Sequence, residues 1–291
     1  MRPVIFGEVL FDRFPDGRAV LGGAPFNVAW NLQALGLSPL FISRVGDDEL
    51  GADIRNAMVA WGMDTSGLEN DPAHPTGTVE VTFTEGEPSY DIAEGKAYDF
   101  IAGDAGLPPG EVLLYHGTLA QRSDTSRRSL ARLRASATAA VCVDVNLRDP
   151  WWERAVVLDN LRGARWVKLN EAELVALAPG LPDRVQQAAY LVAEYELSCL
   201  IVTLGAAGVA AYGPDDWVCA VPASVRGEVV DTVGAGDAFS SVVILGLIHG
   251  WTWTEIIARA GELAGAVVGL RGATTEDREF YLNIARNWEN P

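Results

Sequence analysis

The chain predicts an α/β fold with a mostly parallel central sheet and a small β-sheet lid, and three features carry that prediction. Apolar, β-rich runs alternate with helix-period segments along most of its 291 residues, the pattern of parallel strands joined by crossover helices. One stretch, Thr76–Asp91 (TGTVEVTFTEGEPSYD), breaks that rhythm by alternating apolar and polar residues about a Glu85–Gly86 turn, and reads as an antiparallel hairpin. Hydrophobic residues make up 49% of the chain, enough to bury a sizeable core at this length.

In chain order, strands are expected at Val4–Phe6, Leu40–Ser43, Val112–Tyr115, Ala140–Val145, Trp166–Leu169, Cys199–Thr203 and Val209–Tyr212. Helical patterns lie between them at Asn27–Leu35, Gly51–Trp61, Ser126–Ser136, Asn170–Leu177 and Arg184–Tyr195. Two helices, roughly Asp237–His249 and Trp253–Val268, are expected to end the last third. An extended piece, Phe11–Leu21, carries its own Asp16–Gly17 turn and can pair with the hairpin as an accessory sheet. The domain expectation is therefore one unit, 1–291, with a lid from approximately 11–21 and 76–101. Two edge hairpins without a catalytic role are the plainer alternative.

Charge narrows the function classes. Acidic residues number 39 against 22 basic, a formal charge of −17, which disfavours nucleic-acid binding and docking on an anionic membrane. A nucleoside triphosphate is still within reach, because backbone N–H groups and a metal can hold it. Lys96 and Lys168 are the only lysines, so phosphate contacts are expected to lean on backbone, Arg or Mg²⁺. Cys142, Cys199 and Cys219 are widely spaced and odd in number, which fits a reducing compartment. The opening MRPVIFGEVLFD runs straight into a strand pattern, and Val242–Ile248 with its flanks is too short to span a bilayer, so a cytoplasmic protein is expected. His74, His116 and His249 share no metal-ligand spacing. GEVLFDR lacks the GxGxxG of a nicotinamide oxidoreductase.

The segment richest in chemistry is DTVGAGDAFSS, residues 231–241. A β-rich run ending in Glu228–Val230 leads into Gly234, Ala235 and Gly236, and an apolar helix follows. Two glycines there let backbone N–H groups converge at the positive end of a helix, a nest for phosphate oxygens and for charge developing during phosphoryl transfer. Asp237 beside the nest is placed to accept the proton of an attacking hydroxyl. Taken alone, the same residues also describe an Asp-capped helix behind a glycine turn. The loop is neither a Walker A motif nor part of a protein-kinase set.

DTVGAGDAF closely resembles the C-terminal signature of the ribokinase-like (pfkB) carbohydrate kinases, and GGAPFNVAWNLQALG, Gly22 to Gly36, resembles that family's other signature. The two stand in the family's order, and further matches between them extend the resemblance over essentially the whole chain. It implies a ribokinase-like three-layer sandwich and an ATP-dependent, Mg²⁺-requiring sugar kinase with Asp237 as base and Gly234–Gly236 over the γ-phosphate. It places Asp12, Gly22, Gly23 and Asn27 in the sugar site. Asn170 and Glu173 (NEAE) read by themselves as a capping box. The resemblance adds a place in the Mg²⁺–phosphate network, with Glu173 acting through water. Thr203, Gly205 and Gly208 match its nucleotide-binding turn, although Gly208 alone would satisfy a β-turn there. Gly272 resembles the segment closing the adenine pocket. Carbonyls following Asp231 match a monovalent-cation (K⁺) site, with Val233 where relatives often carry Thr. Arg148, in DVNLRDPWW, resembles an arginine that bridges sugar and transferred phosphate, although a surface arginine before proline would look the same. GGAPFN leans toward fructose over ribose, with 2-keto-3-deoxygluconate, other hexoses and nucleosides as further acceptors and a non-catalytic sugar or nucleotide sensor as the different class. A homodimer through open lid edges is also implied.

Overall fold

Burial alternates residue by residue along the strands. Leu113 and Tyr115 pack into one apolar cluster, and Val112 and Leu114 into another on the opposite side. A sheet buried on both faces needs helices on both, and that is the three-layer arrangement seen. The computed structural model describes residues 1–84, 87–136, 139–214, 217–221 and 230–289. The expected Glu85–Gly86 turn, and residues 228 and 229 of the run before the glycine loop, lie outside them.

Among the described residues the strands are β1 (Arg2–Phe6), β2 (Leu10–Arg13), β3 (Ala19–Gly22), β4 (Leu40–Gly46), β5 (Leu68–Asp71), β6 (Gly77–Thr84) and β7 (Glu87–Ile92). They continue as β8 (Val112–His116), β9 (Ala139–Asp144), β10 (Trp166–Asn170), β11 (Cys199–Thr203), β12 (Val209–Tyr212) and β13 (Val218–Val221). The helices are α1 (Ala24–Ala34), α2 (Glu49–Trp61), α3 (Asp124–Arg134), α4 (Arg154–Leu161), α5 (Glu171–Leu177), α6 (Arg184–Glu194), α7 (Ala235–His249), α8 (Trp253–Val267) and α9 (Arg278–Glu289). None is long and apolar enough to cross a membrane.

The large sheet runs β13-β12-β11-β10-β9-β8-β1-β4-β5. From β5 to β11 every pairing is parallel, and β12 and β13 close one edge as an antiparallel hairpin. Strand order reverses between β8 and β1, and in open α/β sheets ligands bind beyond the carboxyl ends of the strands at such a switch point. A separate sheet runs β3-β2-β6-β7, with β2 and β6 parallel and the outer pairs antiparallel. The extended piece around Asp16–Gly17 and the alternating hairpin thus share one sheet.

The structure adds elements beyond those expected from the sequence. Beyond the two helices expected at the end stands α9, whose buried Tyr281 and Trp288 are spaced within a mostly polar run. Tyr281 Oη donates to Asn31 Oδ1 at 2.9 Å, and the Arg278 guanidinium lies 4.4 Å over the Trp61 ring, itself stacked on Trp30 at 4.6 Å. Those contacts add to an apolar stripe, Phe280, Tyr281, Ile284, Ala285 and Trp288, that seats α9 against the core. Strands β5 and β13 and helix α4 are short edge elements, too brief to show a period.

Candidate active site

Ends of the parallel strands and the starts of α1, α5 and α7 meet at one place. Gly23 caps α1 with φ 106°, and a Cβ there would stand 2.7 Å from the Glu8 carbonyl oxygen. Only glycine allows that approach, which seats the first turn of α1 against the β1–β2 connection and turns Asn27 inward. Gly234 caps α7 in the left-handed region (φ 80°), where a Cβ would fall 2.3 Å from the Ala273 Cα. Asp237 is therefore the third residue of α7 and not its cap, which corrects the helix-cap alternative. The N–H groups of the first turn are left facing outward, and the helix dipole adds positive potential there.

Between these ends lies a cavity of about 430 Å³. Its wall includes Glu8, Asp12, Gly23, Asn27, Asn146, Arg148, Lys168, Asn170, Glu173, Thr203, Gly234, Gly236 and Asp237. Asn27 Nδ2 donates to Asp237 Oδ2 at 2.8 Å, fixing the carboxylate across a sequence separation of 210 residues. Burial pushes Asp237 up to about 6, against the opposing pull of the Asn27 hydrogen bond, Lys168 and Arg148. Burial likewise raises Asp12 to about 6, with Arg148 opposing.

Of the other expected site residues, Gly22, Asp231, Ala235, Gly205, Gly208 and Gly272 stand off the cavity wall. Gly22 lies against the Asp12 carboxylate, and Gly205 and Gly208 form the left-handed turn after β11. Asp231 accepts from the Val233 and Gly272 N–H groups, tying the glycine loop to the segment after α8. Arg148 is exposed on the rim and donates to the Leu147 carbonyl.

Glu173 and Asn170 form the capping box. Asn170 Oδ1 accepts from the Glu173 N–H at 2.9 Å, and Glu173 Oε2 accepts from the Asn170 N–H at 2.7 Å. Glu173 Oε1 also accepts from the Leu147 N–H at 2.8 Å. Each oxygen keeps a lone pair, enough to hold water but a poor direct ligand. No cluster of three or more acidic, His or Cys side chains suited to a metal occurs among the described residues. This donor set fits a Mg²⁺ carried on nucleotide phosphates and touched through water, not an all-protein cage.

The sequence reading missed Lys168, Asp144 and Glu8. Lys168 Nζ donates to Asp144 Oδ2 at 2.9 Å, and the same oxygen accepts from Tyr115 Oη at 3.0 Å and Ser240 Oγ at 2.8 Å. Burial works to lower the Lys168 ammonium, but Asp144, with Glu173 and Asp237, holds it above the usual lysine range. A Cβ on Gly236 would lie 3.2 Å from Nζ. The ammonium and the positive start of α7 therefore converge, an arrangement that an anion between them would relieve. The available signal was a charge inside each apolar run: Lys in WVKLN, Asp in AAVCVDV and Glu in PVIFGEVLF.

Sequences of the pfkB family carbohydrate kinases match residues 7–279. The chain is 32% identical to a fructokinase of Klebsiella pneumoniae, covering 89% of each protein, and 33% identical to a fructokinase of Escherichia coli, covering 93% of this chain and 94% of that one. It superposes with a TM-score of 0.83 and 25% identity, over 97% of both chains, on a double mutant of a Vibrio cholerae fructokinase crystallised with fructose, ADP and potassium ion.

Proposed function

The chain belongs to the pfkB family of carbohydrate kinases, and from that footing we propose that it moves the γ-phosphoryl group of ATP to a hydroxyl of fructose, with Asp237 as the base. The observation that carries this reading is that one cavity brings Asp237, pinned by Asn27, together with further carboxyls and amides, the start of α7 and a lysine. Asp12, Asn27 and Arg148 would hold the sugar. Its reacting hydroxyl would point at Asp237, which takes the proton as the oxygen attacks. Lys168 and the Gly234–Gly236 N–H groups would gather the charge on the transferring phosphoryl oxygens. Thr203, the Gly205–Gly208 turn and Gly272 would seat the nucleotide. Asn170 and Glu173 would hold Mg²⁺ through water, and the ion would supply charge neutralisation for the phosphates. The β3-β2-β6-β7 sheet would act as a lid that excludes water, and its open edges β3 and β7 suit pairing with a second copy.

A sugar with a carboxylate of its own would meet Glu8, Asp12 and Asp237 with Arg148 as the nearby cation on that side, which favours a neutral acceptor over 2-keto-3-deoxygluconate. ADP release measured across fructose, ribose, 2-keto-3-deoxygluconate, glucose and adenosine tests the reading. Fructose should give the highest kcat/KM. No acceptor-dependent ADP from any of them would point to a sensor.

Turnover should also follow pH through the Asp237 carboxyl. The base acts only when deprotonated, so kcat/KM, which reports the free enzyme, should fall about tenfold per unit below a midpoint near pH 6 and level off above pH 7. Stability linked to this group has the opposite sign. Its folded pKa is raised, so its contribution is complete below the ordinary carboxyl range and is lost as pH rises through about 6. A rate profile flat from pH 5 to 8 would remove Asp237 from the proton transfer.

A further inference from the structure

Glu8 stands on the β1–β2 connection, at the switch point of the sheet, and is 4% exposed. It lines the cavity beside Asn27, and Gly23 is shaped to the Glu8 backbone. Glu8 Oε2 is buried with no hydrogen-bond partner in the protein, and so is Asn27 Oδ1, whose amide nitrogen is committed to Asp237. Asn27 Oδ1 is an acceptor, and Glu8 Oε2 is one when the carboxyl is ionised. The charged groups facing Glu8 are Arg148, Asp237 and Arg122. Burial, with Asp237, outweighs the hydrogen bond from the Glu8 backbone N–H and the two arginines and pushes the carboxyl up to about 7. Nearly every buried polar atom in a folded protein is paired, because an unpaired one weakens the fold. Two unpaired acceptors in one cavity wall mark a place shaped for a ligand that brings donors.

We propose that Glu8 is a specificity-determining residue that accepts a hydrogen bond from one acceptor-sugar hydroxyl at Oε2, while Asn27 Oδ1 accepts from a second. The inference rests on the sugar-kinase reading and extends it. The substrate must present two hydroxyl donors toward the β1–β2 connection and the start of α1. A sugar lacking the first of these leaves Glu8 unpaired again, which is how a buried polar site rejects a deoxy analogue strongly. An apolar side chain in place of Glu8 has no such preference, and it removes an orphan acceptor from the free protein.

The test uses the sugar that the wild type turns over best, its singly deoxygenated analogues, and the variants Glu8→Met and Glu8→Gln, with melting curves of each ligand-free protein. In the wild type one analogue should lose about a hundredfold or more in kcat/KM. In Glu8→Met the same deletion should cost less than about threefold, through KM rather than kcat, and the ligand-free variant should melt at or above the wild-type temperature. Glu8→Gln keeps the shape and one acceptor oxygen, so it should retain the preference in weakened form. Equal losses for every analogue in wild type and both variants would overturn the proposal, as would a Glu8→Gln protein that melts lower with unchanged analogue preference. A wild type that turns over no sugar would overturn the kinase reading itself.

Discussion

Replacing Asp237 by asparagine lowers kcat by about 10²–10⁴-fold, the range that a positioned base contributes, while sugar and nucleotide still bind. The substitution keeps shape and one oxygen, so the side chain can still accept from Asn27 Nδ2 in the geometry now seen at 2.8 Å. The turn of α7 and the φ of Gly234 do not depend on that charge. What disappears is the ability to take a proton. Steady-state kinetics give the kcat loss, and calorimetric titration of sugar and nucleotide checks that binding persists. Turnover near the wild-type value would contradict the assignment. Loss of binding together with turnover would make Asp237 a structural residue.

The second large effect is expected at Lys168. In Lys168→Met, Asp144 keeps Tyr115 and Ser240 as donors but loses its counter-ion in a site where its side chain is 2% exposed. Breaking a buried pair from one side typically costs about 3–5 kcal/mol, because the remaining charge is stranded. The two hydroxyl donors place the expected loss toward the lower end of that range. The catalytic loss has a different origin. Removing one preorganised donor from a site of developing charge lowers kcat by about 10²–10³-fold. The double variant Lys168→Met with Asp144→Asn separates the two, since it removes the stranded charge. Thermal melts should recover in the double variant while kcat stays low. Recovery of both would make Lys168 a purely structural partner of Asp144.

The sequence made legible what repeats or alternates. Strands Cys199–Thr203 and Val209–Tyr212 stand where their apolar runs end, because both faces of the sheet are covered and turns bound them. The glycine loop and GGAPFN were legible because close backbone approach forces glycine at Gly23 and Gly234, leaving a mark in the letters. α9 was missed although Phe280, Tyr281, Ile284, Ala285 and Trp288 recur at helical spacing and face the core, because charged and polar residues between them mask the stripe. Lys168, Asp144 and Glu8 escaped for a different reason. Each is a charge inside an apolar run, and a linear reading treats the run as the signal and the charge as an interruption. Their meaning appears only when β1, β9 and β10 bring their ends together at the cavity. Asn27 and Asp237, 210 residues apart, were each singled out from separate motifs, but the hydrogen bond between them belongs to the fold.

The central claim is that phosphoryl transfer to a neutral sugar passes through Asp237. The most direct measurement follows the phosphorus by ³¹P NMR with ATP, Mg²⁺ and fructose, for the wild type beside Asp237→Asn. The account predicts loss of the γ-phosphate resonance matched one for one by a sugar phosphomonoester in the wild type, and almost none over the same time in the variant. Equal phosphomonoester from both proteins, or inorganic phosphate as the product with no sugar ester, would contradict it.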